Sequence, residues 1–108
     1  MQVLEYLDES GRSPFRRWFD RLDASAAAKV TIALTRLSLD NVSNVKSVGR
    51  GVLELRIDFG PGYRVYFGRD RGVLVILLGG GTKARQSDDI EDAYGRWADF
   101  KRRKKGST

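Results

Sequence analysis

A chain of 108 residues, 41% of them hydrophobic, is long enough for one compact domain with a modest core. It has no cysteine and no histidine, which excludes a disulfide framework, thiolate or imidazole zinc sites and histidine-based triads; acid–base chemistry falls to Lys, Arg, Tyr, Asp or Glu. The net charge of +6 is uneven: Lys101 to Lys105 carries five positive charges, while residues 46–85 hold eight basic and three acidic residues, a local excess that suggests a polyanionic or acidic partner.

Met1 to Leu7 is short and is followed at once by Asp8 and Glu9, so it does not read as a signal peptide. The longest apolar run, Val73 to Leu78, is too short to cross a membrane. A cytoplasmic protein with no membrane partner is expected. No linker or internal repeat divides residues 1–108, which read as a single domain. Residues 101–108 form a basic tail, either a solvated helix end or a disordered extension.

Val3, Leu4, Tyr6 and Leu7 fit a first strand, and Asp8 to Arg12 a turn. Ser13 and Pro14 predict a helix start, with Ser13 as N-cap and Pro14 in the first turn. Phe15, Trp18, Phe19 and Leu22 then make one apolar stripe. Asp23 or Ser25 can cap a second helix running to about Leu39, with Val30, Ala33, Leu34 and Leu37 buried. Asn41 to Gly51 reads as a polar connection.

Leu53, Leu55 and Ile57 alternate with Glu54, Arg56 and Asp58, and Tyr63, Val65 and Phe67 alternate with Arg64 and Tyr66. Gly60-Pro61-Gly62 between them predicts a hairpin. Parity favours Phe59 opposite Tyr63, Ile57 opposite Val65, Asp58 opposite Arg64 and Arg56 opposite Tyr66, because a one-residue slip would put charges in the core. An open face would then collect Glu54, Arg56, Asp58, Arg64 and Tyr66. A solvated face with weak cross-strand ion pairs is the plainer account of it.

Val73 to Leu78 reads as a central strand covered on both faces. Gly79-Gly80-Gly81 breaks that pattern and lacks the spacing of a phosphate-binding loop; a bulge or a close chain crossing suits it better. Ser87 can cap a last helix, with Asp88 and Asp89 at its positive end and Ile90, Ala93, Tyr94 and Trp97 on one face. The expected fold is α+β, in the order β-α-α-β-β-β-α.

The end of the central strand should bring Lys83 and Arg85 to the rim of the hairpin sheet. Arginines fork onto phosphate oxygens, a tyrosine stacks on a base, and a lysine among arginines suits proton transfer because neighbouring positive charge favours its neutral form.

The run Glu54-Leu55-Arg56-Ile57-Asp58-Phe59-Gly60-Pro61-Gly62-Tyr63-Arg64-Val65-Tyr66-Phe67 resembles the signature hairpin of the RelE/ParE toxin superfamily, closest to its HigB-like branch of phage-derived addiction-module killer proteins. Val75 to Lys83 and Gln86 to Ile90 resemble that branch's next segment, with Thr82 in a position the branch fills with an acidic residue. The resemblance extends to Pro14-Phe15 and Trp18-Phe19 and so covers nearly the whole chain. It implies a RelE-like fold, a small mainly antiparallel sheet packed against two N-terminal helices and a C-terminal one.

The resemblance also implies the toxin of a type II toxin–antitoxin pair that cuts messenger RNA in the ribosomal A site, with the ribose 2′-hydroxyl as nucleophile and no metal or other cofactor. Arg56 and Arg64 would hold the scissile phosphate, Lys83 would move a proton, and Tyr66 (or Tyr63) would stack on or orient the nucleotide. Glu54 and Asp58 would support them. Arg50, Arg85, Lys101, Arg102 and Arg103 are candidate RNA contacts, the tail docking on ribosomal RNA. RelE-type ribonucleases also use a tyrosine near the end of the chain; here Tyr94 lies on an apolar helix face and reads as core. The implied partners are the ribosome, messenger RNA and a cognate antitoxin, in this branch a helix-turn-helix DNA-binding protein. A ParE-like inhibitor of DNA gyrase and a non-toxic antitoxin-binding corepressor remain alternatives on the same fold.

Overall fold

Ser13 accepts a hydrogen bond from the Arg16 amide at 3.0 Å and Asp23 one from the Ala26 amide at 2.8 Å, so the first two helices start where the sequence places their caps. They are α1 (Pro14–Phe19) and α2 (Ala24–Ser38). The structure, a computed structural model, describes residues 1–106; the expected tail residues Ser107 and Thr108 lie outside the described residues. The strands are β1 (Gln2–Glu5), β2 (Val45–Gly49), β3 (Val52–Ile57), β4 (Tyr63–Asp70) and β5 (Leu74–Thr82). A 3-10 turn over Lys83–Arg85 leads into α3 (Gln86–Gly106).

The strands form one five-stranded sheet in the order β1-β5-β4-β3-β2, antiparallel except where β1 pairs in parallel with β5. This is the α+β arrangement expected of a RelE-like fold. Helices α1 and α2 cover one face over Phe15, Val30, Leu37, Leu55, Val65 and Phe67. Helix α3 covers the other, its Ala93 and Trp97 packing with Tyr66, Ile76 and Leu78. Each large apolar side chain so buried contributes about 1.5–3 kcal/mol. Strand β5 is interior, between β1 and β4, and buried on both faces, as its unbroken apolar run requires.

Several expectations are corrected. The connection from Asn41 to Gly51 contains β2, which pairs with β3 through a bulge between Ser47 and Gly49; the irregularity hides its alternation. The hairpin register differs by two residues from the expected one. Ile57 opposes Tyr63, Leu55 opposes Val65, Arg56 opposes Arg64 and Glu54 opposes Tyr66. Parity is kept, so the faces are right, but the connecting loop is Asp58 to Gly62, with Gly60 (φ 56°) and Gly62 (φ 81°) left-handed. Ser87 is not the cap: α3 continues directly from the 3-10 turn and begins at Gln86, two residues before the start that a Ser87 cap implies.

The triple glycine lies inside β5 rather than ending it. Leu78 and Gly79 bulge against Tyr66, since Tyr66 pairs with Gly79 and Phe67 with Leu77. A Cβ on Gly80 would lie 2.3 Å from the Trp18 ring, so this glycine permits the close approach of α1. The basic tail through Gly106 is the end of α3, which is the helix-end reading of that charge run. Lys104 is paired with Asp70 and Arg103 with Asp99.

Candidate functional site

The pleat of β3 and β4 sends Glu54, Arg56, Arg64 and Tyr66 to the side of the sheet that faces α3. That side is not the open face expected from charge alternation. Glu54 and Tyr66 are 0% exposed and Arg64 is 5% exposed, because α3 closes over them. Arg56 remains exposed, one pair nearer the turn. The charged side chains are therefore largely a buried network, with solvent-facing Arg56 beside it on the same face.

Glu54 is the centre of that network. Its Oε2 accepts from Gln86 Nε2 at 2.7 Å, and its Oε1 lies 3.7 Å from Arg64 Nε and 3.8 Å from Lys46 Nζ. Lys46 reaches it from β2, as the register partner of Glu54. A carboxylate wholly removed from water is tenable only with such partners. Arg64 also donates from Nη1 to the Tyr63 carbonyl at 3.2 Å, which fixes its guanidinium toward the hairpin turn.

Among the described residues, four buried polar side-chain atoms, Glu54 Oε1, Arg64 Nε, Tyr66 OH and Asp89 Oδ2, complete no hydrogen bond. Three lie on β3 and β4 and the fourth on the first turn of α3. Burial first, and then the charge of Glu54, push the Tyr66 phenol well above its ordinary value. Burial likewise raises the Asp89 carboxyl, with the Arg85 guanidinium opposing the shift. Asp89 reaches the sheet because Gly81 has no side chain: a Cβ there would meet Asp89 Oδ2 at 1.8 Å.

Lys83 joins the turn end of the site. Its amide donates to the Gly62 carbonyl at 2.8 Å. A Cβ on Gly62 would lie 3.4 Å from Arg64 Nη1 and 3.6 Å from Lys83 Cβ, so both residues flank one glycine. Lys83 is exposed and Arg56 is the cross-strand partner of Arg64. Arg56, Arg64 and Lys83 thus gather at the hairpin turn, positive groups around a side-chain-free backbone, suited to a phosphate.

A family model described as phage-derived protein Gp49-like matches residues 17–97. The chain belongs to that family. An uncharacterised protein of Haemophilus influenzae is 48% identical to it over 80 residues, 73% of this chain and 81% of that protein. The span matched by the family model starts in α1 and ends at Trp97, and it holds the whole network around Glu54.

Other expected residues of this Gp49-like chain lie elsewhere. Tyr66 is fully buried, so the nucleotide-stacking role is corrected: its ring already packs in the core under α3. Asp58 is exposed in the turn loop beyond the end of β3. Arg50 sits at the β2–β3 turn, at the opposite end of β3, with its guanidinium 4.6 Å from the centre of the Tyr94 ring. Lys101 stacks over Trp97 nearby. Arg102 and Arg103 both pair with Asp99, and Arg103 also covers the Tyr6 ring. Tyr94 donates its hydroxyl to the Val48 carbonyl and packs beside the second core, the structural role its helix position implies. Arg85 faces a different cleft.

Gln86 and Lys46 are the network members that sequence reasoning did not single out. Gln86 stood in a segment quoted for resemblance only. Lys46 lay in the stretch read as a connection; placing it required pairing β2 with β3.

Proposed function

We propose that this chain is the toxin of a type II toxin–antitoxin pair and a ribosome-dependent, metal-independent endonuclease of messenger RNA. The observation that carries this reading is the meeting of Arg56, Arg64 and Lys83 at the hairpin turn, with Arg64 held from below by buried Glu54. The resemblance of the hairpin to RelE and HigB toxins agrees with it.

In this reading the two guanidiniums grip the non-bridging oxygens of one phosphodiester. They stabilise the charge that grows there when the ribose 2′ oxygen attacks phosphorus. The 2′-hydroxyl proton passes to a base, the P–O5′ bond breaks, and the departing 5′ oxygen takes up a proton. In this reading Lys83 moves one of these protons. The products are a 2′,3′-cyclic phosphate and a 5′-hydroxyl. Glu54 orients Arg64 and does not touch substrate. A neighbouring antitoxin would neutralise the protein in the cell.

Expression without an antitoxin, with protein synthesis and RNA 5′ ends read together, tests this. Growth arrest with new 5′-hydroxyl ends inside translated messages is the expected result. DNA damage with translation intact would favour gyrase inhibition instead, and a folded chain that arrests nothing would favour a corepressor.

A further inference from the structure

Beyond the hairpin turn, the two helical layers leave a cleft of about 460 Å³ against the C-terminal half of β5. Its floor is Gly80, Gly81 and Thr82, and its walls come from α1 and α3. Four arginines line it: Arg17 and Arg21 from the α1 side, Arg85 and Arg96 from the α3 side. Asp89 and Asp92 are the acidic lining residues, so the walls carry net positive charge. Among the described residues, no ion pair or side-chain hydrogen bond occupies Arg17 or Arg21. Arg96 uses one nitrogen on the Leu78 carbonyl at 3.1 Å, and Arg85 reaches Asp88 and Asp89 only at 3.9 and 4.0 Å. Two unpaired guanidiniums, Arg17 and Arg21, facing two loosely held ones across a glycine floor are suited to phosphate oxygens.

We propose that this cleft is a second phosphate-binding subsite, taking the backbone of a single RNA strand that continues from the hairpin turn. Continuity selects that occupant. Gly81 is the register partner of Arg64, and Thr82, at the cleft floor, directly precedes Lys83. A strand leaving the Arg56, Arg64 and Lys83 group crosses Thr82 and enters the cleft without a change of sheet. Half-buried Trp18 lines the same cleft beside the guanidiniums, an aromatic next to cations of the kind that single-strand sites use. The subsite rests on the proposed function only for its polymer being RNA.

The test uses the full chain and a short, fluorescently labelled, single-stranded oligoribonucleotide with 2′-O-methyl groups, so that cleavage plays no part. Anisotropy titrations at several salt concentrations compare wild type with Arg17→Ala/Arg21→Ala; both side chains are exposed, so the fold is not at risk. Loss of two phosphate contacts should flatten the plot of log affinity against log salt by about 1.4, at about 0.7 per contact on single strands, and weaken binding about tenfold at physiological salt. Arg17→Lys/Arg21→Lys should keep most of the slope. Unchanged affinity and slope in the alanine variant would overturn the subsite, as would failure of wild type to bind the oligonucleotide. Polyglutamate bound with the same dependence on Arg17 and Arg21, when the oligonucleotide shows none, would assign the cleft to an acidic protein segment and overturn it too. If the slope changes as expected but no message is cut, the subsite stands and the nuclease reading falls. If Arg56→Ala stops cutting while the cleft variant binds as wild type, the reverse holds.

Discussion

Arg64 and Glu54 lie diagonally across β4 and β3 beneath α3, with Arg64 Nε 3.7 Å from Glu54 Oε1 and neither side chain more than 6% exposed. Removing one member of such a pair leaves a buried charge without its counter-charge. Glu54→Ala should therefore cost about 3–5 kcal/mol, read from the shift in urea midpoint at constant slope. Glu54→Gln should cost less, because an amide oxygen can still accept from Gln86. A loss below about 1 kcal/mol for the alanine variant would mean that water already screens the pair.

Arg56 faces its partner Arg64 across the hairpin but stands in solvent. Arg56→Ala should leave stability within about 0.5 kcal/mol, as surface changes do. Messenger RNA cutting on translating ribosomes should fall about 10²-fold or more, the usual cost of losing one donor to a developing oxyanion. Arg64→Ala should lose both activity and stability. Cutting unchanged in Arg56→Ala would remove this arginine from the phosphate grip.

The contrast between these two arginines shows what alternation can and cannot tell. Period two assigned Arg56, Arg64, Glu54 and Tyr66 to one face correctly, because a slip of one would have exposed Leu55 and buried Asp58. It could not separate registers two residues apart, which have the same faces; turn chemistry at Gly60 and Gly62 decided that. Polar residues on the face suggested solvent. The apolar stripe Ile90, Ala93, Tyr94 and Trp97 was legible in α3, but what it would cover was not, since Glu54, Arg64 and Lys46 come together as ion pairs only in three dimensions. Of the cleft arginines only Arg85 was legible as an RNA contact; Arg17, Arg21 and Arg96 escaped notice for a related reason. Arg17 lies in α1 and Arg21 just after it, Arg85 and Arg96 lie toward the other end of the chain, and only the narrow glycine floor of β5 brings them together.

Gly80 is part of that floor and of the packing beneath it. Trp18 lies where a Cβ would stand, with its nearest ring atom 2.3 Å from that position. Gly80→Ala should destabilise by about 1–3 kcal/mol through overpacking. Since the clash is with one rigid ring, Trp18→Leu should relieve part of it, and the double variant should lose less than the sum of the singles. Strict additivity in urea melts would place the strain in the β5 backbone instead.

Asp89 sets a pH dependence of its own. Burial raises its carboxyl pKa in the folded protein, so the native state holds this proton more tightly than the unfolded chain does. Stability then falls as pH rises from the unfolded value, about 3.9, through the higher folded one, and the penalty persists above it. Asp89→Asn removes the titration. The difference in urea midpoint between Asp89→Asn and wild type should move in favour of the variant as pH rises through that window, and level off beyond it. A difference independent of pH would show that Arg85 compensates the burial fully.

Tyr66 carries a hydroxyl that lies close to Glu54 but completes no hydrogen bond of good geometry inside the core, and burial first, then Glu54 beside it, disfavours ionisation. Leaving a buried donor unpaired costs free energy that removal of the group returns. Tyr66→Phe keeps the ring contacts with α3 and should match wild type or gain up to about 1 kcal/mol. Messenger RNA cutting should be unchanged, because no substrate reaches a side chain with no exposed surface. Spectrophotometric titration gives a second readout: one tyrosine of the wild type should ionise only when alkali unfolds the protein, and that late phenol should be missing from Tyr66→Phe. A tenfold loss of cutting with stability intact would put the hydroxyl in the reaction, and would require α3 to lift from the sheet before RNA binds.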